Sequence, residues 1–444
     1  MRTPIYDFAA RYAGGEIIRM HMPGHKGEQT LGPEAMDITE IFGADSLYEA
    51  DGIIAESERR TAALFGAKRT LYSTEGSSQC IRAMLALIRS YIQRTKTKGY
   101  ILAARNVHKT FVTAAGLLDL DVRFIEPTEE ASLLYAPIDL GALEAIFKAD
   151  APSALYVTSP DYLGNIAPIP ALSALCRRYG VLLAVDNAHG AYLRFLSPSR
   201  HPMDLGADLC CDSAHKTLPA LTGAAYLHLA DGLPAHFYEE AKETMALFGS
   251  TSPSYLILES LDLLTEILRE EFPKRLSAIL PLAEAAKARL LAHGYTLSGD
   301  EPMKLTLLPK FFGYTGEEIA SYLRENKIEC EFADEDSLVL MLSPYTSAED
   351  LEKTVAALLA LAKKAPIEKK PPLPHIPKRI CSVREAMLAP SEKIPLNAAM
   401  GKTLSSLSVG CPPAVPAIVC GEAIDEKAIG ILQYYGITEC RVMI

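Results

Sequence analysis

No stretch of this chain is a dense run of Lys and Arg, and the formal net charge is −11. The electrostatic footprint that a phosphate backbone needs is missing, so nucleic acid is not an expected partner. No apolar run is long enough to cross a bilayer, and the opening stretch, Met1 to Glu16, lacks the basic-then-apolar layout of a secretory signal. A soluble, cytoplasmic protein with no membrane contact is expected. Cys-x-x-Cys pairs and His clusters at ligand spacing are also lacking. With nine cysteines, an odd number, this argues against a disulfide framework and against a metal site. Adjacent Cys210 and Cys211 sit in an apolar run and read as buried thiols. There is no internal repeat and no low-complexity segment.

What is present is bulk: 444 residues, 49% of them apolar, enough for a large core and too many for one ordinary domain. From Lys98 to His228 short apolar or β-branched runs alternate with helical or loop stretches, the pattern of an α/β fold with a mainly parallel sheet. The candidate strands are Tyr100 to Ala104, Val122 to Glu126, Ala154 to Thr158, Val181 to Asp186, Asp208 to Asp212 and Gly223 to Leu229. Ser77 to Thr95 carries apolar residues at helical spacing and opens directly after a Gly-Ser-Ser turn. After Ser250 the signals change to those of a smaller α+β domain. They run from a helix-rich stretch with Leu282, Ala286 and Leu290 through strand-like Met303 to Leu308 and a helix at Gly316 to Asn326, ending in strand-like Ser337 to Leu342. The expected division is an N-terminal segment at 1–50, a large domain at 51–250, a small α+β domain at 251–365, a stiff Pro-rich linker at 366–378 and a C-terminal domain at 379–444.

The residues with the most chemistry join the ends of two candidate strands. Asp186-Asn187-Ala188-His189-Gly190 is followed about thirty residues later by Ser213-Ala214-His215-Lys216. Pyridoxal phosphate (PLP) chemistry needs both parts: a lysine amine that holds the cofactor as a Schiff base, and a carboxylate that keeps the pyridine nitrogen protonated. A carboxylate at the carboxyl end of a parallel strand also lies where open α/β sheets bind ligands. Taken singly, such an Asp is often a helix cap and such a Lys a solvated surface residue. Thr74-Glu75-Gly76-Ser77-Ser78 offers backbone amides, two hydroxyls and the positive end of a helix dipole for a phosphate, against the plainer reading of a Ser cap. Ser213 and His215 could close the other side of that phosphate. His108, just past a strand, could stack on a pyridine ring or be a hydrogen-bonded surface histidine. Ser159 to Gly164 is a strand-end turn, and His21 to Gly27 packs two histidines and a lysine into seven positions that name no role by themselves.

Together these segments resemble the ornithine/lysine/arginine decarboxylase family. The resemblance rests on H-M-P-G-H-K-G at His21, G-A-D-S-L at Gly43, R-N-V-H-K-T at Arg105, S-P-D-Y-L-G at Ser159, D-N-A-H-G at Asp186 and S-A-H-K-T-L at Ser213. Pro412-Pro413-Ala414-Val415-Pro416 and Gly421-Glu422 complete the order. It covers essentially the whole chain and matches the short form, without an N-terminal wing domain. It implies a fold-type-I, PLP-dependent transferase-like large domain with small and C-terminal domains, and decarboxylation of Lys, Arg or ornithine to the corresponding amine. It implies Lys216 as the Schiff-base lysine, Asp186 as the pyridine-nitrogen partner and His108 as the ring-stacking residue. Gly76, Ser77, Ser78, Ser213 and His215 would gather around the phosphate, with Ala188 and His189 of the Asp186 motif also at the cofactor. A homodimer or higher homo-oligomer is implied, in which the N-terminal segment serves a neighbouring subunit. The chain departs from the family pattern at Asn187, which stands for Glu, at Tyr192, which stands for His, and at Ala214 and Thr222 to Ala225. Two other readings fit the same motifs. One is another PLP enzyme, an aminotransferase, aldolase or acyl-transferring synthase; the other is a non-catalytic member of the fold.

Overall fold

The computed structural model describes residues 2–95, 99–407 and 413–444; Met1, Lys98 and Pro412, which figure in the sequence reading, lie outside them. The chain forms two compact units, one made of residues 1–99, 153–156 and 169–273, the other of 100–152, 157–168 and 274–444. A seven-stranded sheet has the order β1-β7-β6-β5-β4-β2-β3. Its strands are β1 (Arg69–Ser73), β2 (Ile101–Ala103), β3 (Val122–Phe124), β4 (Ala154–Thr158), β5 (Leu182–Asp186), β6 (Leu209–Asp212) and β7 (Ala225–Leu229). The sheet is mostly parallel, as the alternating pattern predicts. Strand β7 is the departure, running antiparallel to both β6 and β1.

In the first unit β5 and β6 pair in parallel with Asp186 opposite Cys211, so both strands deliver their last residues to the same edge. Every residue of β5, β6 and β7 is buried, which explains why β5 and β6 read as apolar runs up to their terminal Asp rather than as alternation. Cys210 and Cys211 are fully buried, as expected. Helix α1 (Pro4–Ala13) is pinned by Asp262, whose Oδ2 accepts the amides of Ile5 at 2.8 Å and Tyr6 at 3.0 Å. Asp45 of the Gly43 motif caps α2 (Ile53–Phe65), taking the amides of Gly52 at 3.0 Å and Ile54 at 2.9 Å. Helix α3 (Gly76–Thr95) buries Cys80, Met84, Leu87 and Ile88 on one stripe. Strand β1 is absent from the sequence reading.

In the second unit β2 and β3 pair in parallel with Ile101 opposite Val122, and α4 (Lys109–Leu118) follows β2. An antiparallel four-stranded sheet, order β10-β11-β9-β8, is built from β8 (Leu297–Ser298), β9 (Lys304–Leu307), β10 (Phe332–Ala333) and β11 (Leu338–Met341). The helix Gly316–Glu325 is opened by a reciprocal capping box between Thr315 and Glu318. Within the helix Phe272–His293, Ala286 and Leu290 are buried as the periodicity predicts, whereas Leu282 faces outward at 41% exposure. A third sheet, order β12-β14-β13, joins β12 (Ser391–Pro395), β13 (Leu404–Ser406) and β14 (Glu439–Met443). In this unit Arg105 is buried in a two-point pair with Glu422, at 3.0 and 2.7 Å. No helix among the described residues is long and apolar enough to cross a membrane.

Candidate active site

Asp186 ends β5 with its side chain almost fully buried. Its Oδ1 accepts the Ala188 amide at 3.2 Å, and its Oδ2 accepts the hydroxyl of Tyr156 at the same distance. The Cys211 thiol lies 3.6 Å from Oδ1. Burial pushes the Asp186 carboxyl above the usual carboxylate range, against the pull of the Ala188 amide and of the Lys216 charge. A cation placed against this carboxylate would relieve that cost.

One strand further along, β6 ends at Asp212, and a single helical turn, Ala214–Thr217, carries Lys216. The Lys216 Nζ is 2.8 Å from Nε2 of His189, which belongs to the loop after β5. The parallel pairing of β5 and β6 therefore brings Asp186, Ala188, His189 and Lys216 together across about thirty residues of sequence. Flanking the lysine, the buried hydroxyls of Ser213 and Thr217 have no hydrogen-bond partner. Buried hydroxyls are rarely left so, and they mark where an acceptor-rich ligand fits. The His215 ring contacts the Ala224 carbonyl at 2.9 Å, and burial lowers its pKa.

Gly76, Ser77 and Ser78 form the first turn of α3, where backbone N–H groups have no partner inside the helix. Gly76 has φ +70°, and a side chain there would meet open space. Its amide donates to the Gly223 carbonyl at 2.7 Å, while the His215 amide donates to Ala224 at 3.3 Å. One loop thus ties the α3 turn to the lysine turn. Gly223 itself, at φ +98°, would put a Cβ 2.9 Å from the Thr74 carbonyl, so this close approach needs glycine. His108 belongs to the second unit, where it caps α4, its Nδ1 accepting the Thr110 amide at 3.2 Å.

The sequence reading gives no site role to Tyr156 or Cys211 and misses a buried network behind the site. Asp212 Oδ2 meets Nε2 of His201 at 2.9 Å and Nε2 of His228 at 3.1 Å, while its Oδ1 accepts the Asn187 amide at 2.6 Å. The two imidazoles hold the Asp212 carboxyl well below the usual range despite its burial. Asn187 is explained by this contact, because a second carboxylate at that position would face Asp212 with no proton between them. His201, Cys210 and Asp212 are close enough to share a metal ion, a cluster that their spacing, unlike that of a common ligand motif, does not announce.

Residues 3–298 match the family described as Orn/Lys/Arg decarboxylase, major domain. The chain belongs to this family. It is a PLP-dependent amino acid decarboxylase by that membership. Curated relatives include an arginine decarboxylase of Bacillus subtilis, 28% identical over 97% of this chain and 93% of the relative. An arginine decarboxylase of Halalkalibacterium halodurans matches equally, at 28% with the same coverage. Among solved structures, a lysine decarboxylase from Francisella novicida superposes with a TM-score of 0.80 at 16% identity, covering 100% of this chain and 81% of its own. Lysine decarboxylase A from Pseudomonas aeruginosa also gives 0.80, at 18% identity, over 98% of this chain and 76% of its own. These structural likenesses establish the α/β fold.

Proposed function

We propose that this enzyme decarboxylates a basic amino acid, arginine, lysine or ornithine, to the corresponding amine, using PLP held at Lys216. The observation that carries the reading is the convergence of Lys216, His189 and the buried Asp186 carboxylate at the carboxyl ends of β5 and β6. PLP, when bound, supplies an electron sink that lets the bond from the α-carbon to the carboxylate break with release of carbon dioxide.

Asp186 would hold the proton of a bound pyridine nitrogen, the opposite charge offsetting the burial that raises this carboxyl. Tyr156 and the Ala188 amide fix the carboxylate in place. Lys216 would anchor the cofactor through its amine, and His189 Nε2, 2.8 Å away, is placed to take or return the proton of that amine. The unpartnered Ser213 hydroxyl, the His215 turn and the α3 amides of Ser77 and Ser78 take the phosphate, where the helix dipole favours negative charge.

Arginine leads the substrate panel because several of the curated relatives that span 97% of the chain are named arginine decarboxylases. We also infer an assembly of at least two subunits. In its support, Ile18, Met20, Leu31 and Phe42 are each at least 85% exposed within one N-terminal stretch, a concentration of apolar surface that a lone subunit rarely carries.

The deciding experiment supplies the purified enzyme with PLP and arginine, lysine or ornithine and measures carbon dioxide. Release from at least one of the three is expected. Silence across all three, with carbon dioxide from another amino acid or none, overturns the substrate reading.

A further inference from the structure

The Ser159 to Gly164 turn has no task in the Lys216 site. In the second unit it borders a cavity of about 350 Å³. Thr158 and Asp161 reach the cavity from the carboxyl end of β4, and Asn106 from just beyond β2, the place where open α/β sheets take ligands. Tyr135, Asn165 and Asp300 complete its polar side chains.

That lining is one-sided. No Lys, Arg or His borders the cavity, while two carboxylates do. Asp161 is only 3% exposed, and burial pushes its pKa up to about 6 even though the Asn165 amides and Lys304 pull it down. Asn106 is 6% exposed and its Oδ1 has no hydrogen-bond partner; the Thr158 hydroxyl has none either. The polar groups therefore ask for donors and for positive charge. The remaining wall, with Pro137, Ile138, Ile166 and Pro168, is apolar and suits methylene groups.

We propose that this cavity binds the cationic end of an aliphatic amine, an ammonium or guanidinium carried on a short methylene chain. The ligand's N–H donors meet Asp161, Asn106 and Thr158, and its methylenes lie on the Pro137 and Ile138 wall. Identifying that cation as the distal group of the substrate or its amine product rests on the function proposed above.

The test is isothermal titration of the holoenzyme with n-butylguanidinium and with N,N-dimethylbutylammonium, neither of which can form a Schiff base. Pentanamide serves as the neutral control. Asp161→Asn is expected to weaken the binding of at least one cation tenfold or more. Thr158→Val, at a hydroxyl with no partner to lose in the fold, is expected to weaken it several-fold. Binding of neither cation, or unchanged affinity in both variants, overturns the proposal, as does pentanamide binding as tightly as the cations. The two readings fail separately. Carbon dioxide release from a basic amino acid with Asp161-independent cation binding removes only the cavity site, whereas Asp161-dependent binding without any decarboxylation removes only the substrate reading.

Discussion

The Lys216 Nζ and His189 Nε2 stand 2.8 Å apart, a hydrogen bond joining the loop after β5 to the turn after β6. Replacing Lys216 with Ala removes the anchoring amine while leaving the fold intact, because the side chain is exposed. Carbon dioxide release should fall by about 10³-fold or more, as for loss of a covalent group. The visible absorbance of bound PLP should shift, while circular dichroism stays that of the parent. Retained activity in this variant would sink the assignment of Lys216.

Asp186→Asn preserves size and can still meet the Tyr156 hydroxyl and the Ala188 amide, but it carries no negative charge to hold a proton on the pyridine nitrogen. The expected loss in kcat is about 10²-fold or greater, with a smaller change in KM. Steady-state kinetics with saturating PLP separates this from a simple loss of cofactor.

Glu259 yields a pH dependence of stability. Burial pushes its carboxyl up to about 8, with Asp37 and Asp262 adding to the rise, and its Oε1 has no partner. Between the ordinary value of 4.5 and about 8 the folded protein holds a proton that the unfolded chain has released. Its contribution is therefore fully present below 4.5 and is lost as the pH climbs towards 8. Glu259→Gln should melt about 2–4 °C higher than the parent at pH 8 and show a smaller gain near pH 5, read by thermal denaturation.

The buried Arg105–Glu422 pair predicts a non-additive pair of substitutions. Arg105 also donates to the Ala417 carbonyl at 3.1 Å and lies 4.6 Å from the Phe124 ring centre. Arg105→Met leaves the Glu422 charge buried and uncompensated and should cost about 3–5 kcal/mol in urea denaturation. Combining it with Glu422→Leu should recover much of that loss. A double-variant cost equal to the sum of the two single-variant costs would show that the pair's charges do not interact.

Legibility of the fold followed what each strand buries. Strands β5 and β6 are sunk on both faces, so they read as apolar runs, and each ends in a charged residue that marks its carboxyl end. Asp186 and Lys216 were visible for that reason. Strand β1, Arg69-Thr70-Leu71-Tyr72-Ser73, has neither an apolar run nor a regular alternation, and its polar groups find partners only in three dimensions: Thr70 with His228 at 2.8 Å, and Tyr72 with Ser57 and Thr61 at 2.8 and 2.6 Å. Tyr156 likewise looks like one more apolar core residue until its hydroxyl is seen to reach Asp186. The Asp212 network was hidden because His201 and His228 lie on either side of it in sequence, with no motif spacing to join them.

The short connection from Leu221 to Ala224 receives the Gly76 amide on one residue and the His215 amide on the next. Each contact fixes a different wall of the proposed phosphate cradle, so the connection works as a shared spacer between them. An inserted or deleted residue here would displace both walls in one step, and no compensating side chain could restore them separately. Variation in this loop is thus confined to composition at constant length, with position 223 held to glycine by the Thr74 carbonyl beside it.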